Sequence, residues 1–348
     1  MKLPRRQLLH LAAGAATLAV APRSATAEQG QAAQIPSEPL VWPIVTKAPP
    51  EVPKFAGHAN TVPDIVGRLG APASLVIFTE GNHLMVLLGD DIVGVFPTWA
   101  KSRPQYADLN LDNVVVVTLP QPLLVRMIRT GGIALGNLTL DVSRKSGFYP
   151  DIVMGYPGPL RQLHELRVIE SRVRFFSRNR GPALLVRKGN PLGIHSLTDV
   201  ARTGARLALP EPSDLRTRYR AMIDELIGKP AADAFFAAEA PDFPGRLGIM
   251  HRDIPEMVAR SYADVALTWY HLISYWTRIF PNRFALVPIS GAERFFVEIA
   301  FGRVIDPLRP RALEAFDEFF FSRAKDVYPR YDFARMNDRE YGTPMVLE

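Results

Sequence analysis

Short apolar runs alternate with helix-forming stretches through most of this chain, and this alternation limits the folds open to it more than any other feature. The runs are rich in β-branched residues, which is typical of buried strands. They predict strands at residues 74–78, 113–118, 151–154, 183–187, 206–209 and 264–268. Helices are predicted at 87–99, 122–129, 215–227 and 255–260, and a terminal amphipathic helix at 311–324 carries Leu313, Phe316, Phe319 and Phe320 on one face. The pattern predicts an α/β fold with helices covering parallel sheets.

The N-terminus has the layout of an export signal. Lys2, Arg5 and Arg6 precede an apolar stretch at residues 8–21, and a small-residue cleavage site follows at residues 25–27. The stretch is too short to span a bilayer. Residues 5–9 resemble a twin-arginine signal, and an ordinary secretory signal is the alternative. We predict that residues 1–27 are removed near Glu28 and that the protein is periplasmic.

Composition narrows the possible partners and the size of the fold. The chain of 348 residues contains no cysteine, so disulfides and a thiol-linked lipid anchor are excluded. Its 41 Lys and Arg exceed its 35 Asp and Glu by six, but the predicted signal carries four of the basic residues, which leaves 37 against 35. Such a small excess does not indicate a nucleic-acid partner. The remaining length of about 320 residues suits two α/β domains.

Residues 28–72 are rich in proline and form a predicted lead-in to the first domain. Proline at this density blocks helices and sheet ladders, so an extended, partly ordered segment is expected, which could wrap the first domain. The prolines are Pro36, Pro39, Pro43, Pro49, Pro50, Pro53, Pro63 and Pro72.

The common catalytic motifs do not occur in the sequence. It has no nucleophile elbow, no Walker-type phosphate loop and no histidine pair at helical spacing, and a cysteine nucleophile is excluded. His58, His164 and His195 are interpreted as surface or structural residues. No enzymatic activity and no cofactor are therefore predicted.

Several segments, taken in order, resemble the bacterial molybdate-binding proteins. They lie at residues 175–179, 183–191, 194–199, 205–212 and 262–270. The resemblance implies a two-lobed type II periplasmic binding protein whose lobes are joined by two crossovers. It places the first lobe at residues 73–176 plus 292–348 and the second at 177–291. It also implies a monomer that closes on a small ligand and delivers it to the permease of an inner-membrane ABC transporter.

Five segments that follow a predicted strand and open a helix are candidate ligand-binding segments. In open α/β sheets ligands bind beyond the carboxyl ends of strands, where free N–H groups favour anions. The segments contain residues 79–83, 120–122, 213–217, 250–255 and 268–271, and a turn at residues 155–157 is a sixth candidate at the rim. The candidate ligand-binding residues are Thr79, Asn82, Gln121, Arg216, Thr217, His251, Arg252, Ile254, Trp269 and Tyr270.

The resemblance assigns roles to several of these residues. Asn82 and Gln121 fall near two ligand-binding serines of the family, and Trp269 aligns with a ligand-facing tyrosine. Backbone N–H groups of Thr217 and Ile254 match family donors. Each segment also has a purely structural interpretation as a helix cap or a core residue.

The charged candidates favour an anionic ligand. Arg216 and Arg252 would be charged donors to an oxyanion or small organic acid, which departs from the neutral donors of the family. Glu80 would repel an anion. An alternative is a metal ion held by Glu80 and Asp214 with His83 or His271. A periplasmic enzyme on the same fold, or a sensor or assembly factor that binds a protein through the lead-in, are the other hypotheses.

Overall fold

The structure is a computed structural model that describes residues 40, 64–87, 92–135, 138–210, 213–241 and 250–348. The predicted signal and most of the predicted lead-in lie outside the described residues. The structure also does not describe the side chains of Asn82, Asp214, His251 and Arg252.

Strands and helices alternate along the described chain, as the sequence pattern predicts. The strands are β1 (Asp64–Val66), β2 (Leu75–Thr79), β3 (Val114–Thr118), β4 (Gly132–Leu135), β5 (Leu138–Asp141), β6 (Ile152–Gly155), β7 (Arg172–Arg178), β8 (Pro182–Arg187), β9 (Leu207–Ala208), β10 (Val265–Trp269), β11 (Phe284–Pro288), β12 (Glu298–Arg303) and β13 (Pro344–Val346). The helices are α1 (Leu84–Leu87), α2 (Phe96–Lys101), α3 (Gln121–Thr130), α4 (Pro157–Glu165), α5 (Leu197–Arg202), α6 (Ser213–Ile227), α7 (Lys229–Ala237), α8 (Met250–Ala259), α9 (Tyr270–Ile279) and α10 (Pro310–Val327). None of these helices is long and apolar enough to cross a membrane.

Two sheets organise the described strands, with β4 and β5 forming a separate hairpin. The larger sheet has the order β1-β3-β2-β6-β12-β7-β13 and the smaller the order β11-β8-β10-β9. Strands β3, β2 and β6 run parallel to one another, as do β9 and β10, whereas the remaining neighbours pair antiparallel. The prediction of parallel sheets is therefore wrong for six of the nine neighbouring strand pairs in these two sheets. Neither β7 nor β12 pairs with a strand next to it in the chain, because each connects to the smaller sheet, so neither belongs to the strand–helix–strand units that give parallel pairs.

From β1 to β13, the described chain passes between the two sheets twice. It leaves the larger sheet after β7, enters the smaller one at β8, and returns between β11 and β12. This arrangement confirms the predicted two-lobed α/β fold with two crossovers. Ser177 and Arg178 still pair with β12 in the larger sheet. The lobe boundaries at residues 176–177 and 291–292 stay a prediction.

Apolar side chains fill both faces of the larger sheet. The apolar face of α10 lies on one of them, where Leu313, Phe316, Phe319 and Phe320 are buried as predicted. Full burial of such a side chain contributes about 1.5–3 kcal/mol. The opposite face is covered by α3 and α4.

The predicted helix at residues 87–99 is wrong. The chain forms two short helices, α1 and α2, with a turn between them at residues 92–95. Gly94 lies in that turn, and Pro97 occupies the first turn of α2. Proline has no N–H to donate to a preceding turn, so it starts a helix here rather than continuing one.

Leu40 is the one described residue from the N-terminal half of the lead-in, and it belongs to the smaller lobe. Its side chain is buried in the core around the smaller sheet. Its N–H donates to Oε1 of Glu256 on α8 at 3.0 Å. At this position the lead-in is thus part of the second lobe and not wrapped on the first.

Candidate functional site

The ends of three parallel strands meet at one edge of the larger sheet. Thr79 is level with Thr118 of β3 and with Met154 of β6. Each strand is followed at once by a helix or a 3-10 turn, namely residues 81–83, α3 and α4. Free backbone N–H groups at such starts carry partial positive charge. This edge therefore has the geometry predicted for an anion site.

Gln121, the first residue of α3, is engaged within the protein. Its Oε1 accepts a hydrogen bond from the N–H of Tyr156 at 3.1 Å, and it is buried. A Cβ placed on Gly155 would lie 1.3 Å from Nε2 of Gln121, so the glycine makes room for this side chain. Gln121 thus joins the ends of β3 and β6, and its predicted contact with a ligand stays a prediction.

Thr79 and Asn82 lie at the end of β2. Thr79 is fully buried, and its hydroxyl donates to the carbonyl oxygen of Glu80 at 3.4 Å. Asn82 lies in the 3-10 turn Gly81–His83, at the position expected for a ligand loop. The structure brings both residues to the strand edge but does not test their ligand contacts.

In the smaller sheet, the parallel strands β9 and β10 are followed by α6 and α9. Trp269 is the residue before α9, and it is buried with its ring edge-on to Tyr219 at 5.4 Å. This places the indole in the core of the lobe. Tyr270 is half-buried, and the guanidinium of Arg180 lies 4.4 Å from the centre of its ring.

Arg216 and Thr217 lie on the first two turns of α6. Arg216 forms an ion pair with Glu239, and both side chains are about one third exposed. The charge predicted for an anion is thus already balanced by a carboxylate in this structure. Thr217 is exposed and is the fifth residue of the helix, one beyond the four N–H groups that lack helical partners.

Helix α8 begins at Met250, earlier than the sequence pattern indicates. His251 and Arg252 therefore lie in its first turn, at the positive end of the helix dipole. Ile254 is buried and is the fifth residue, so its N–H also lies beyond the four free ones. The contacts predicted for Thr217 and Ile254 stay predictions that these helix starts do not favour.

A buried aromatic contact joins the strand ends of the two lobes, and sequence reasoning missed it. His83, after β2, and His271, in the first turn of α9, both stack on the ring of Phe333. The centroid distances are 5.6 and 4.2 Å. Both imidazoles are fully buried, and none of their ring nitrogens has a hydrogen-bond partner among the described residues. Burial lowers the pKa of His83 to about 3 and that of His271 well below its ordinary value.

The hinge between the lobes is held by Asn179. Its Oδ1 accepts from the N–H of Gly181 at 3.1 Å and from the N–H of Val297 at 2.9 Å, so it ties the two connections together. Its Nδ2, and the hydroxyl of Ser177 two residues earlier on the same face of β7, are buried without a partner among the described residues. Buried donors without partners are rare in proteins and mark candidate ligand contacts.

The described residues contain no group of three histidine, aspartate or glutamate side chains that could hold a metal ion. Burial lowers the pKa of the imidazoles at His83 and His271, and no carboxylate contributes to either shift. Asp214, the other acid of the metal hypothesis, has its side chain outside the description.

Comparison with known proteins decides the family. A model of bacterial extracellular solute-binding proteins matches residues 101–326, well over half of the chain. The chain belongs to this family. The predicted resemblance to bacterial solute-binding proteins is therefore confirmed. No curated protein sequence matches the chain.

Several solved structures share the fold of this family member at low sequence identity. A glycosylated variant of PEB3, a protein of Campylobacter jejuni, has a TM-score of 0.52 at 16% identity, over 76% of this chain and all of that one. The sulfate-binding protein SubI from Mycobacterium tuberculosis has a TM-score of 0.51 at 14% identity, over 77% of this chain and 88% of that one. At these identities the likeness shows the fold alone.

Proposed function

We propose that this solute-binding protein is the periplasmic substrate-binding component of an ABC transporter and that it binds a small anion between its lobes. The observation that carries the proposal is the convergence of strand ends from both sheets. His83 follows β2 of the larger sheet and His271 follows β10 of the smaller one, and both contact Phe333. The helix starts beside these strand ends therefore face a common region, where their N–H groups favour an anion.

The donors available in that region are mostly neutral. Ser177 and Asn179 offer buried, unpartnered donors at the end of β7. Arg180, with 47% of its side chain exposed, lies beside Tyr270 at the hinge, and its guanidinium is 3.9 Å from a carboxylate oxygen of Asp332. Asn82 lies in the 3-10 turn after β2, and His251 and Arg252 lie in the first turn of α8. This set supports an oxyanion or a small organic acid as the ligand.

The first test identifies the ligand and measures how much each arginine contributes to its affinity. Mass spectrometry of the protein purified from native periplasm should find a small anion, and calorimetry with molybdate, sulfate, phosphate and citrate should rank the candidates. Loss of a charged partner from a desolvated ligand costs about 2–5 kcal/mol. Arg252→Ala and Arg216→Ala should therefore each weaken binding at least tenfold, whereas Arg202→Ala, on exposed α5, should not.

Glu239→Gln provides a sharper test of Arg216. In the parent protein the ligand would share the guanidinium of Arg216 with Glu239, so removal of this carboxylate should raise the affinity for the anion. Unchanged affinity in the Arg216 and Glu239 variants would remove Arg216 from the site. A bare metal cation as the only co-purifying ligand would overturn the anion proposal.

A further inference from the structure

The contact between His83, Phe333 and His271, here called the histidine latch, does more than fill space. We propose that the histidine latch holds the two lobes together only while both imidazoles are neutral, so that mild acidification opens the lobes and lowers the affinity for the bound solute. The second half of this statement rests on the proposed function, whereas the opening itself does not.

The histidine latch spans the lobes because His83 and Phe333 pack in the core beside the larger sheet, whereas His271 lies on α9 of the smaller lobe. Phe333 lies in the C-terminal segment, residues 328–334, which follows α10 and is fastened to β7 of the larger sheet. The N–H of Ala334 donates to the carbonyl oxygen of Arg178 at 2.8 Å. His271 is carried by α9 of the smaller lobe. Separation of α9 from the C-terminal segment therefore removes the closest stack, at 4.2 Å, and uncovers His271.

Polar side chains at the edge of the histidine latch also join the C-terminal segment to α9. Asp332, beside Phe333, accepts a hydrogen bond from Ser274 at 2.6 Å and pairs with Arg278 at 3.2 Å. Both partners lie on α9. The C-terminal segment thus contacts α9 through a partly exposed ion pair and a buried aromatic stack.

The interior of the histidine latch is suited to neutral imidazoles. His83 packs against Phe176 and Tyr328 as well as Phe333. The hydroxyl of Tyr328 is likewise without a partner among the described residues. Other titratable or charged side chains also lie on or beside the elements packed against the two rings. They are Glu80, Arg172, Arg174 and Arg178 on the His83 side, Arg180, Arg187, Tyr270, Tyr275 and Arg278 on the α9 side, and Arg330, Tyr331 and Asp332 in the C-terminal segment.

None of those groups compensates a charge on the rings. The pKa of His83 is lowered by burial alone, and that of His271 by burial and then by the proximity of His83. An imidazolium would have to remain there without a carboxylate, at a high desolvation cost. A protonated ring is accommodated only when the contact opens to water.

The direction of the pH effect follows from these lowered pKa values. Exposed histidine has a pKa of about 6.5, so the open form gains protons below that pH and the closed form does not. Closure is thus fully favoured above about pH 6.5 and is lost as the pH falls. Between pH 7.5 and 5.0 the ratio of closed to open molecules should drop about 30-fold if one histidine is uncovered and about 900-fold if both are.

The opening can be measured without knowing the solute. The chain has no cysteine, so Lys101→Cys on α2 and Lys229→Cys on α7 provide one spin label on each lobe. Interlobe distances of the ligand-free protein, measured by electron–electron double resonance, should be short and narrow at pH 7.5 and long or broad at pH 5.0. The same protein carrying His83→Phe and His271→Phe should keep the short distance at both pH values, because phenyl rings preserve the stack but cannot be protonated.

Controls separate the histidine latch from general acid effects. His195→Gln removes an exposed histidine of the smaller lobe and should leave the pH response intact. His271→Phe alone should remove the protonation of His271 from the response, so the closed-to-open ratio should change less between pH 7.5 and 5.0 than in the parent. This single variant keeps the test informative if the double variant folds poorly. A parent protein that stays closed at pH 5.0, or a double variant that opens at the same pH, would refute the proposal.

The solute-dependent half has its own readout. Calorimetry with molybdate as the probe should show affinity falling below pH 6.5 in the parent and not in the double variant. Loss of molybdate binding in the double variant at pH 7.5, with the short distance retained, would instead make the imidazoles ligand contacts and would overturn the regulatory role. Absence of binding by any anion alongside a normal pH-dependent opening would refute the proposed function only.

Discussion

Arg309, the residue before α10, forms a buried ion pair with Asp151 in the larger lobe. Its guanidinium and backbone N–H contact the fully buried carboxylate of Asp151 at 2.8 and 3.1 Å. Asp151 also accepts from the N–H of Val76 at 2.9 Å. Burial raises the pKa of Asp151, and the positive charge of Arg309 opposes that rise. The pair therefore fastens the start of α10 to β2 and β6, and neither partner is dispensable alone.

Arg309→Ala should destabilise the protein strongly, because it leaves a buried carboxylate without its cation. Breaking such a pair costs about 3–5 kcal/mol. Arg311→Ala is the matched control two residues later, since Arg311 pairs with Asp108 on the surface and should leave the free energy of unfolding nearly unchanged. Urea unfolding at pH 7.5 measures both. Equal losses in the two variants would contradict this account of Asp151.

At the scale of elements, strands are predictable where their own side chains supply the apolar surface. Strand β3 is a run of valines, and the predictions for β3, β8 and β10 are confirmed within one or two residues. Strand β7 alternates arginine with apolar residues and was not predicted as a strand. Arg174 lies over the ring of Phe321 at 3.7 Å and pairs with Asp317, both on α10. These partners are remote in sequence from Arg174, so the local sequence pattern does not indicate that β7 is a strand.

The candidate site likewise has features that local sequence signals predict and features that depend on tertiary contacts. The loops after β2, β3 and β10 could be predicted, because a helix start after a strand is a local signal. The engagement of Gln121 by Tyr156, and of Arg216 by Glu239, depends on tertiary contacts and could not. The stacking of His83 and His271 on one ring is likewise visible only in the folded chain. The sequence does not indicate this stacking, because an isolated histidine is usually a structural residue.

The connection between β7 and β8 depends on Gly181. Its φ is +73°, and a Cβ there would lie 2.0 Å from the carbonyl oxygen of Ala292 on the other connection. Its own carbonyl oxygen accepts from the N–H of Tyr270 at 3.0 Å. The two connections thus pass each other at van der Waals distance only because this residue has no side chain.

Gly181→Ala should destabilise the protein by more than the intrinsic cost of alanine at positive φ, because the backbone of the second connection has to move. Gly204→Ala is the control: its φ is +66°, but no atom lies within 4 Å of an added Cβ, so it isolates the conformational cost of about 1–2 kcal/mol. Thermal unfolding compares the two. A loss in Gly181→Ala no larger than in Gly204→Ala would show that the connections are free to separate.

At the scale of the whole molecule, segments distant in sequence complete both lobes. Leu40 contributes to the core of the smaller lobe and bonds to Glu256, 216 residues later. The larger sheet draws strands from β1 near its N-terminal end to β13 at residues 344–346. Strand β12, which lies between β6 and β7, is made only after the smaller sheet.

The order of strands in the larger sheet has a consequence for folding during synthesis. A chain that emerges from its N-terminus cannot finish this sheet until β12 has emerged, so the nascent protein must remain incompletely folded for most of its translation. A chain ending at residue 291 should therefore be cut rapidly by a protease in its first 176 residues, whereas a chain lacking only residues 344–348, at the sheet edge, should resist. Equal resistance of the two would mean that β2, β3 and β6 form a stable nucleus early. Rapid cutting of the shorter chain would place the folding of this protein at the end of synthesis, which leaves a long interval in which a chaperone must hold it.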